Sequence, residues 1–450
     1  MTDYRTETDL IGSISVPADA LYGAQTQRAV ELYPLNGEKP LSAYPELIQG
    51  VLAVKKIAAV TNKRTGELAP DLADAIIQTI AQLADNLPAA QFPVHACHGG
   101  GGISTNMNVN EVLANLANKV HFQQPLGSYT PIHPNDHINL NNATSDTLGT
   151  ACHFAVIGKW RGLHEAACEL SSALSHQAEQ WQRVLKISRT CLQDAVEISF
   201  ADLFSGYVSL IERNCERLNQ DIEALYNINL GGNIIGRKGD CSAEFFALVL
   251  DTIHQVMGCD KYRHSPNLFD ASQNHDDLVS VANRLDLFAR GLLKIAKDFR
   301  LMSSGPSTGF GELHLPAVQP GSSAMPGKIN PTIPEYLVQC CMQACGRCYE
   351  AQMTKDHGEL DLNVWQTVVV HNVLDAINAL ENGIRSFMEH CVKGIEPDIE
   401  RNHANINTLI PALMRLKQQK GYSYASRIYK ESGGDLAQVL RYLADSNGSE

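Results

Sequence analysis

Residues 147–185 read TLGTACHFAVIGKWRGLHEAACELSSALSHQAEQWQRVL, a run without a single proline. Ala, Leu, Glu, Gln and Lys dominate it, and all are good helix formers, so the run predicts one long helix. Ala195 to Leu225, Asp276 to Met302, Pro334 to Lys355 and Thr367 to Val392 read the same way. Helices of this length with few charges on their inner faces suit a bundle that continues across subunits. Regular alternation of apolar and polar residues is scarce, so the fold class is mainly α.

Outward from this centre the chain falls into three zones. Residues 1–140 mix short helical patterns with loops, punctuated by Val16-Pro17, Tyr33-Pro34, Lys39-Pro40 and the glycine run Gly99 to Gly102. Residues 141–395 carry the long helices. Residues 396–450, beginning around Pro397, turn more polar and form a small C-terminal domain.

Bulk composition removes several function classes. The chain has 450 residues, 44% hydrophobic and 19% charged, with a formal net charge of -13. That charge disfavours nucleic acid as a partner. The start carries Asp3, Glu7 and Asp9 and does not read as a signal peptide. No stretch approaches the length of an apolar membrane span. Twelve cysteines, dilute and irregularly spaced, read as reduced thiols, and the expected location is cytoplasmic.

Four polar segments abut strong helices. Gly99 to Asn108 joins four glycines to Ile103, Ser104, Thr105 and Asn106; glycines let backbone approach a ligand, and a helix start suits an anion. The other reading is a turn and a helix cap. His133 to His137 and Asn139 to Asp146, the latter containing Ala143, Thr144 and Ser145, open the longest helix with more polar residues than capping needs. Ser188 to Asp194, with Thr190 and Cys191, reads either as a site or as caps and a salt bridge at a helix junction. The fourth segment is Gly321 to Pro331, where prolines and glycines constrain a backbone bearing Ser322, Ser323, Lys328 and Asn330. Lysine charge and asparagine amide donors suit a carboxylate. A serine beside a lysine is open to activation. The Gly-x-Ser-x-Gly elbow and the Ser-x-x-Lys spacing are both missing, which disfavours a serine hydrolase.

Metal readings are weaker. Pro134 opposes a helical His133–His137 pair; Cys341, Cys345 and Cys348 share one helical face and read as core; His95-Ala96-Cys97-His98 reads as pocket wall. No metal site is expected.

Gly-Ser-Ser-Ala-Met-Pro-Gly-Lys-Ile-Asn-Pro at 321–331 closely resembles the signature of the aspartase/fumarase superfamily. Val16 to Arg28, Asn106 to Asn115, His133 to His137, Arg300 to Pro306 and Leu360 to Asn363 resemble its other blocks in the expected order. The resemblance implies a three-domain fold with a long central helical bundle, forming a multi-helix core in a homotetramer whose active sites are shared between subunits. It implies reversible anti β-elimination from a small-molecule carboxylate, with no cofactor, because the substrate's carboxylate is the electron sink. Ser322 is then the base, Lys328 and Asn330 hold the carboxylate of the aci-carboxylate intermediate, and Glu335 supports a neighbouring group.

The chain also departs from that pattern. The family's Gly-x-Gly-Thr threonine falls at Ile103, its Ser-Ser-Asn or Ser-Thr-Asn triplet becomes Ala143-Thr144-Ser145, and its Thr-His or Thr-Gln pair becomes Thr190-Cys191. A proline becomes Glu197, and Gly-Thr-Gly-Leu-Asn becomes Gly236-Arg237-Lys238-Gly239-Asp240. Each lost donor to a buried charge costs about 1 kcal/mol or more, so the pocket is expected to take a modified substrate. Ser104, Thr105, His95, His98, Arg237 and Lys238 are candidate substitutes. Glu197, if it faces the site, favours a cationic group on the substrate. Together with Gln193-Asp194-Ala195-Val196, which looks like the ammonia-lyase branch, it makes C–N cleavage the first expectation. A fumarase-type hydratase is the alternative, and a non-catalytic tetrameric relative the third.

Overall fold

The structure, a computed structural model, describes residues 3–447. An N-terminal antiparallel hairpin joins β1 (Tyr4–Asp9) to β2 (Gly12–Pro17). Helices α1 (Ala24–Leu32), α2 (Pro45–Thr65), α3 (Pro70–Asp85) and α4 (Ile103–Phe122) follow, then the 37-residue α5 (Thr144–Gln180). The hairpin β3 (Leu185–Thr190) and β4 (Gln193–Ser199) leads into α6 (Phe200–Ala224). The short parallel pair β5 (Asn227–Ile228) and β6 (Arg263–His264) flanks α7 (Ala243–Met257). Next come α8 (Leu268–Gln273), α9 (Asp276–Met302), β7 (Leu313–His314), α10 (Thr332–Met353) and α11 (Gln366–His390). β8 (Glu396–Pro397) pairs with β7 and precedes α12 (Ile399–Ile406), α13 (Leu409–Lys420), α14 (Tyr422–Glu431) and α15 (Leu436–Asn447).

The chain divides into two compact units, neither of them a continuous stretch. The first comprises residues 1–163, 217–286 and 344–378, and the second the remainder. Helices α5, α6, α9, α10 and α11 each have residues in both. Their sequences explain why they are helices. In α9, Leu278, Val281, Leu285, Phe288, Leu292, Ile295 and Phe299 recur every three or four residues and all are buried, the spacing that stacks side chains on one helical face. Leu163, Ala167, Leu170 and Leu174 do the same for α5. In the second unit α13, α14 and α15 close on a small core of their own, built from Ala412, Leu416, Ile428, Val439 and Leu443.

Two expectations are corrected. Ala195 to Leu225 is not all helix: residues up to Ser199 pair with Leu185–Thr190, and the helix begins at Phe200. Ser188 to Asp194 is therefore a hairpin tip rather than a helix junction. Cys191 and Leu192 take positive φ of 53° and 60°, the conformation of a two-residue turn whose twist matches its strands. Further, Pro134–Ile138 forms a π-helical turn capped by the His133 side chain, which accepts from the Asn135 and Asp136 N–H groups. Proline at the first position lacks only an N–H that would have had no partner.

Candidate active site

In the first unit the glycine run delivers the chain into α4. Gly100, Gly101 and Gly102 all have positive φ. At Gly102, with φ of 87°, a Cβ would lie 2.0 Å from Leu148 Cδ1, so both backbone and packing favour glycine. No side chain caps α4; Ser104, Thr105 and Asn106 already lie within it. Ile103 is 41% exposed and with Ser104, Gly100, Arg28, His133 and Asn135 lines a cavity of about 780 Å³. Thr105 is buried and bonded to His98 Nε2 at 2.9 Å. His98 Nδ1 meets the Gly99 carbonyl at 3.0 Å, so Nδ1 carries the proton and Nε2 accepts from Thr105. Burial holds His98 below the usual histidine range.

Ala143, Thr144 and Ser145 open α5, and the structure gives them different work. The Asp146 carboxylate is fully buried and accepts from the N–H groups of Ala143, Gly231 and Asn233 at 2.8–3.0 Å. Burial outweighs those three bonds and raises it to about 6. Ser145 Oγ lies 2.6 Å from the carbonyls of both Asn233 and Ile234, so its single proton is committed to that loop. Ser145 anchors that loop to the start of α5. Thr144 Oγ1 instead accepts from Asn106 Nδ2 at 3.1 Å, which leaves its own proton uncommitted.

The second unit holds the signature loop, largely exposed and bonded to itself. Ser322 Oγ accepts from the Ala324 and Met325 N–H groups, each at 3.1 Å. Asn330 Nδ2 donates to the Gly321 carbonyl at 2.8 Å, and Gly321 N–H donates to Lys328 O at 2.9 Å. A Cβ at Gly321 would lie 2.6 Å from that same Lys328 oxygen, so the closure requires glycine. Ser323 and Lys328 are exposed. Glu335, in the first turn of α10, pairs with Arg300 at 3.2 Å.

Thr190 and Cys191 stand at the exposed tip of the β3–β4 hairpin. The β3 strand is fixed by charge along its length: Arg189 Nη1 meets the fully buried Glu312 at 2.7 Å and Lys186 meets it at 3.3 Å. Glu197 pairs with Arg415 of α13 at 2.9 Å. Its charge is thus already matched within the chain.

Comparison with known proteins agrees with this architecture. Residues 12–346 match the family model described as lyase. The chain is 35% identical over 434 residues to fumarate hydratase class II of Rickettsia felis, covering 96% of this chain and 93% of that protein. It is also 35% identical over 431 residues to an aspartate ammonia-lyase from a Bacillus species, covering 96% and 91%. The chain belongs to the aspartase/fumarase superfamily of lyases. The crystal structure of fumarate lyase:delta crystallin from Brucella melitensis bound to cobalt covers this whole lyase chain and 96% of its own, with TM-score 0.94 and 35% identity. The class II fumarase of Schistosoma mansoni follows at TM-score 0.93 and 27% identity, covering 98% and 96%. Among the described residues of this lyase, no cluster of three or more His, Cys, Asp or Glu could hold a metal ion, and no helix is long and apolar enough to cross a membrane.

The sequence reading of this lyase missed residues beneath the site. Lys55 of α2 is 1% exposed and donates to Asn139 Oδ1 and Asn142 Oδ1 at 2.9 and 2.8 Å. In sequence it sits in Val51 to Val60, VLAVKKIAAV, where two adjacent lysines look like the wet edge of an amphipathic helix. His371 of α11 is also buried, stacked on Tyr44 with ring centroids 4.1 Å apart, and burial lowers it to about 3. A single histidine inside VVVHNVLDAI carries no signal that separates it from core.

Proposed function

We propose that this lyase catalyses reversible anti β-elimination from a carboxylate substrate, through an aci-carboxylate intermediate, with Ser322 as the base. The observation that carries the reading is the pair of backbone N–H groups donated to Ser322 Oγ. Donors fixed on that oxygen favour its ionised form and so its work as a base. Ser322 in its ionised form takes the Cβ proton and the electron pair passes into the substrate carboxylate; as the alkene forms, a hydroxyl leaves as water with a proton from solvent, or an ammonium leaves directly as ammonia. Lys328 supplies positive charge for the carboxylate, and Asn330 adds the amide N–H that Gly321 does not use. Both interactions strengthen as the second negative charge develops, which is what acceleration requires. Ile103, Ser104 and Thr144 form the substrate's second seat, and in this reading the active sites are assembled in a homotetramer.

Water and ammonia both fit this chemistry as leaving groups. Glu197, which spoke for a cationic amine, is paired with Arg415, and we therefore place C–O elimination first. Ammonia release is the second reading; Gln193-Asp194-Ala195-Val196 favours it. The test is a panel of malate, fumarate with and without ammonia, aspartate and larger β-substituted amino acids. The alkene is followed by ultraviolet absorbance, with Ser322→Ala as control. Turnover of malate and fumarate without ammonia is expected. Activity confined to amino acids reverses the order of the two readings, and silence across the panel overturns the lyase mechanism.

A further inference from the structure

We propose that Lys55 is a positioning residue: through Asn139 and Asn106 it turns the Thr144 hydroxyl proton outward, as a donor for a substrate carboxylate. The inference rests on the carboxylate reading above for the identity of the anion, but not on the elimination step.

The argument is one of hydrogen-bond polarity. An ammonium offers donors and no acceptor. Lys55 Nζ lies within 2.9 Å of two side-chain amides, so both must present oxygen to it. Asn142 Oδ1 accepts in addition from Thr147 Oγ1 at 3.0 Å. With Asn139 Oδ1 thus aimed at Lys55, the groups beside that oxygen must donate. They do: Asn106 Nδ2 and Asn110 Nδ2, four residues apart on α4, each reach it at 3.2 Å. Asn106 is thereby locked with its NH2 towards Asn139, and the same nitrogen reaches Thr144 Oγ1 at 3.1 Å. A hydroxyl that accepts on its oxygen keeps its single proton for another partner. Ser145, next in sequence, has no such freedom, because its proton is held by the Asn233 and Ile234 carbonyls.

Both ends of the Lys55–Asn106 span are enclosed, while Asn139 between them is half-buried. Lys55, Asn106, Asn110 and Asn142 are all buried, whereas Thr144 is half-buried and reachable. A reversed Asn139 amide would set its NH2 against the donors of Lys55, Asn106 and Asn110 at short range, so the relay has one arrangement. Burial pushes the Lys55 ammonium down to about 7, with Asp146 opposing. A neutral amine still has two N–H groups for its two amide oxygens.

The test uses the full chain. Wild type, Lys55→Met, Thr144→Val, the double variant and Thr144→Ser are melted in rising fumarate, malate and inorganic phosphate. Fumarate is expected to raise the wild-type melting temperature. Lys55→Met and Thr144→Val should each weaken apparent binding roughly tenfold, about the worth of one hydrogen bond to a charged group. The double variant should be no worse than the weaker single, since both cut one relay, and Thr144→Ser should bind as wild type does. Asn106→Leu cuts the relay between them and carries the same expectation if Lys55→Met does not fold. Binding unchanged in a folded Lys55→Met, effects that add in the double, or a wild type indifferent to all three anions each overturns the proposal. Turnover measured in parallel separates the two readings. Fumarate binding without turnover removes β-elimination and leaves Lys55 in its role; turnover with unaltered binding in Lys55→Met removes Lys55 alone.

Discussion

The turn before α5 and the loop before α10 both lead into long helices, and they are held in opposite ways. Asn139 to Asp146 is locked by side chains from elsewhere: Lys55 of α2, Asn106 and Asn110 of α4, and the Gly231–Asn233 backbone. Gly321 to Pro331 is locked by itself, through Ser322 Oγ, Asn330 Nδ2 and the Gly321–Lys328 closure. On the proposed reading, the first arrangement makes substrate recognition depend on the core. The second presents the half-buried Ser322, the proposed base, and the exposed Lys328 on a backbone that holds its own shape. Changes in the loop should therefore alter chemistry and spare stability, while changes in the turn should cost stability and weaken substrate binding together.

The largest expected effect is at the loop. Ser322→Ala should lower kcat by about a thousandfold, the scale of a lost general base. Its melting temperature should stay close to wild type, because the N–H groups it served lie in an exposed segment where water replaces the acceptor. Steady-state kinetics beside a calorimetric melt reads both at once. A large fall in melting temperature would show that the loop leans on the fold as the turn does.

Next comes Asp146→Ala at the turn. Three backbone N–H groups lose one buried acceptor, and each unsatisfied group costs about 1–3 kcal/mol. Denaturant unfolding should show a loss of at least about 3 kcal/mol. A loss below about 1 kcal/mol would mean that the turn, too, carries its own shape. Asp146→Asn separates charge from geometry, since it keeps one acceptor oxygen and should recover part of the loss.

The same contrast explains what could be read from the sequence. The loop was legible because its structure is local: proline, glycine, serine, lysine and asparagine lie within eleven consecutive positions, and the resemblance rests on them. The long helices were legible from apolar spacing, and Asp276 to Met302 coincides with α9. The turn was legible only as an excess of polar residues. What organises it comes from Lys55, 84 positions from Asn139, and composition carries no trace of that distance. The β3–β4 hairpin escaped for another reason. Its tight turn uses Cys191 and Leu192 at positive φ, where asparagine and glycine would have announced it. Gln193 to Ser199 was then absorbed into the helical pattern of α6. Glu197 was accordingly judged by its sequence neighbours rather than by its cross-strand and tertiary partners, Ile187 and Arg415.

The smallest expected effect decides the most about substrate. Glu197 and Arg415 are both partly exposed, and a pair of this kind contributes roughly 0–1 kcal/mol. Glu197→Gln should therefore shift unfolding by no more than about 1 kcal/mol. It should leave KM for aspartate and other β-amino acids unchanged relative to malate, since a carboxylate engaged by a guanidinium is not the partner of a substrate ammonium. Arg415→Gln frees the carboxylate without removing it. If Glu197 does face the reacting groups, Arg415→Gln should lower KM for amino acids alone, and Glu197→Gln should raise it. Should both variants move amino-acid KM in those directions while malate kinetics stay fixed, the pair is a gate on a substrate amine, and ammonia release takes first place over water.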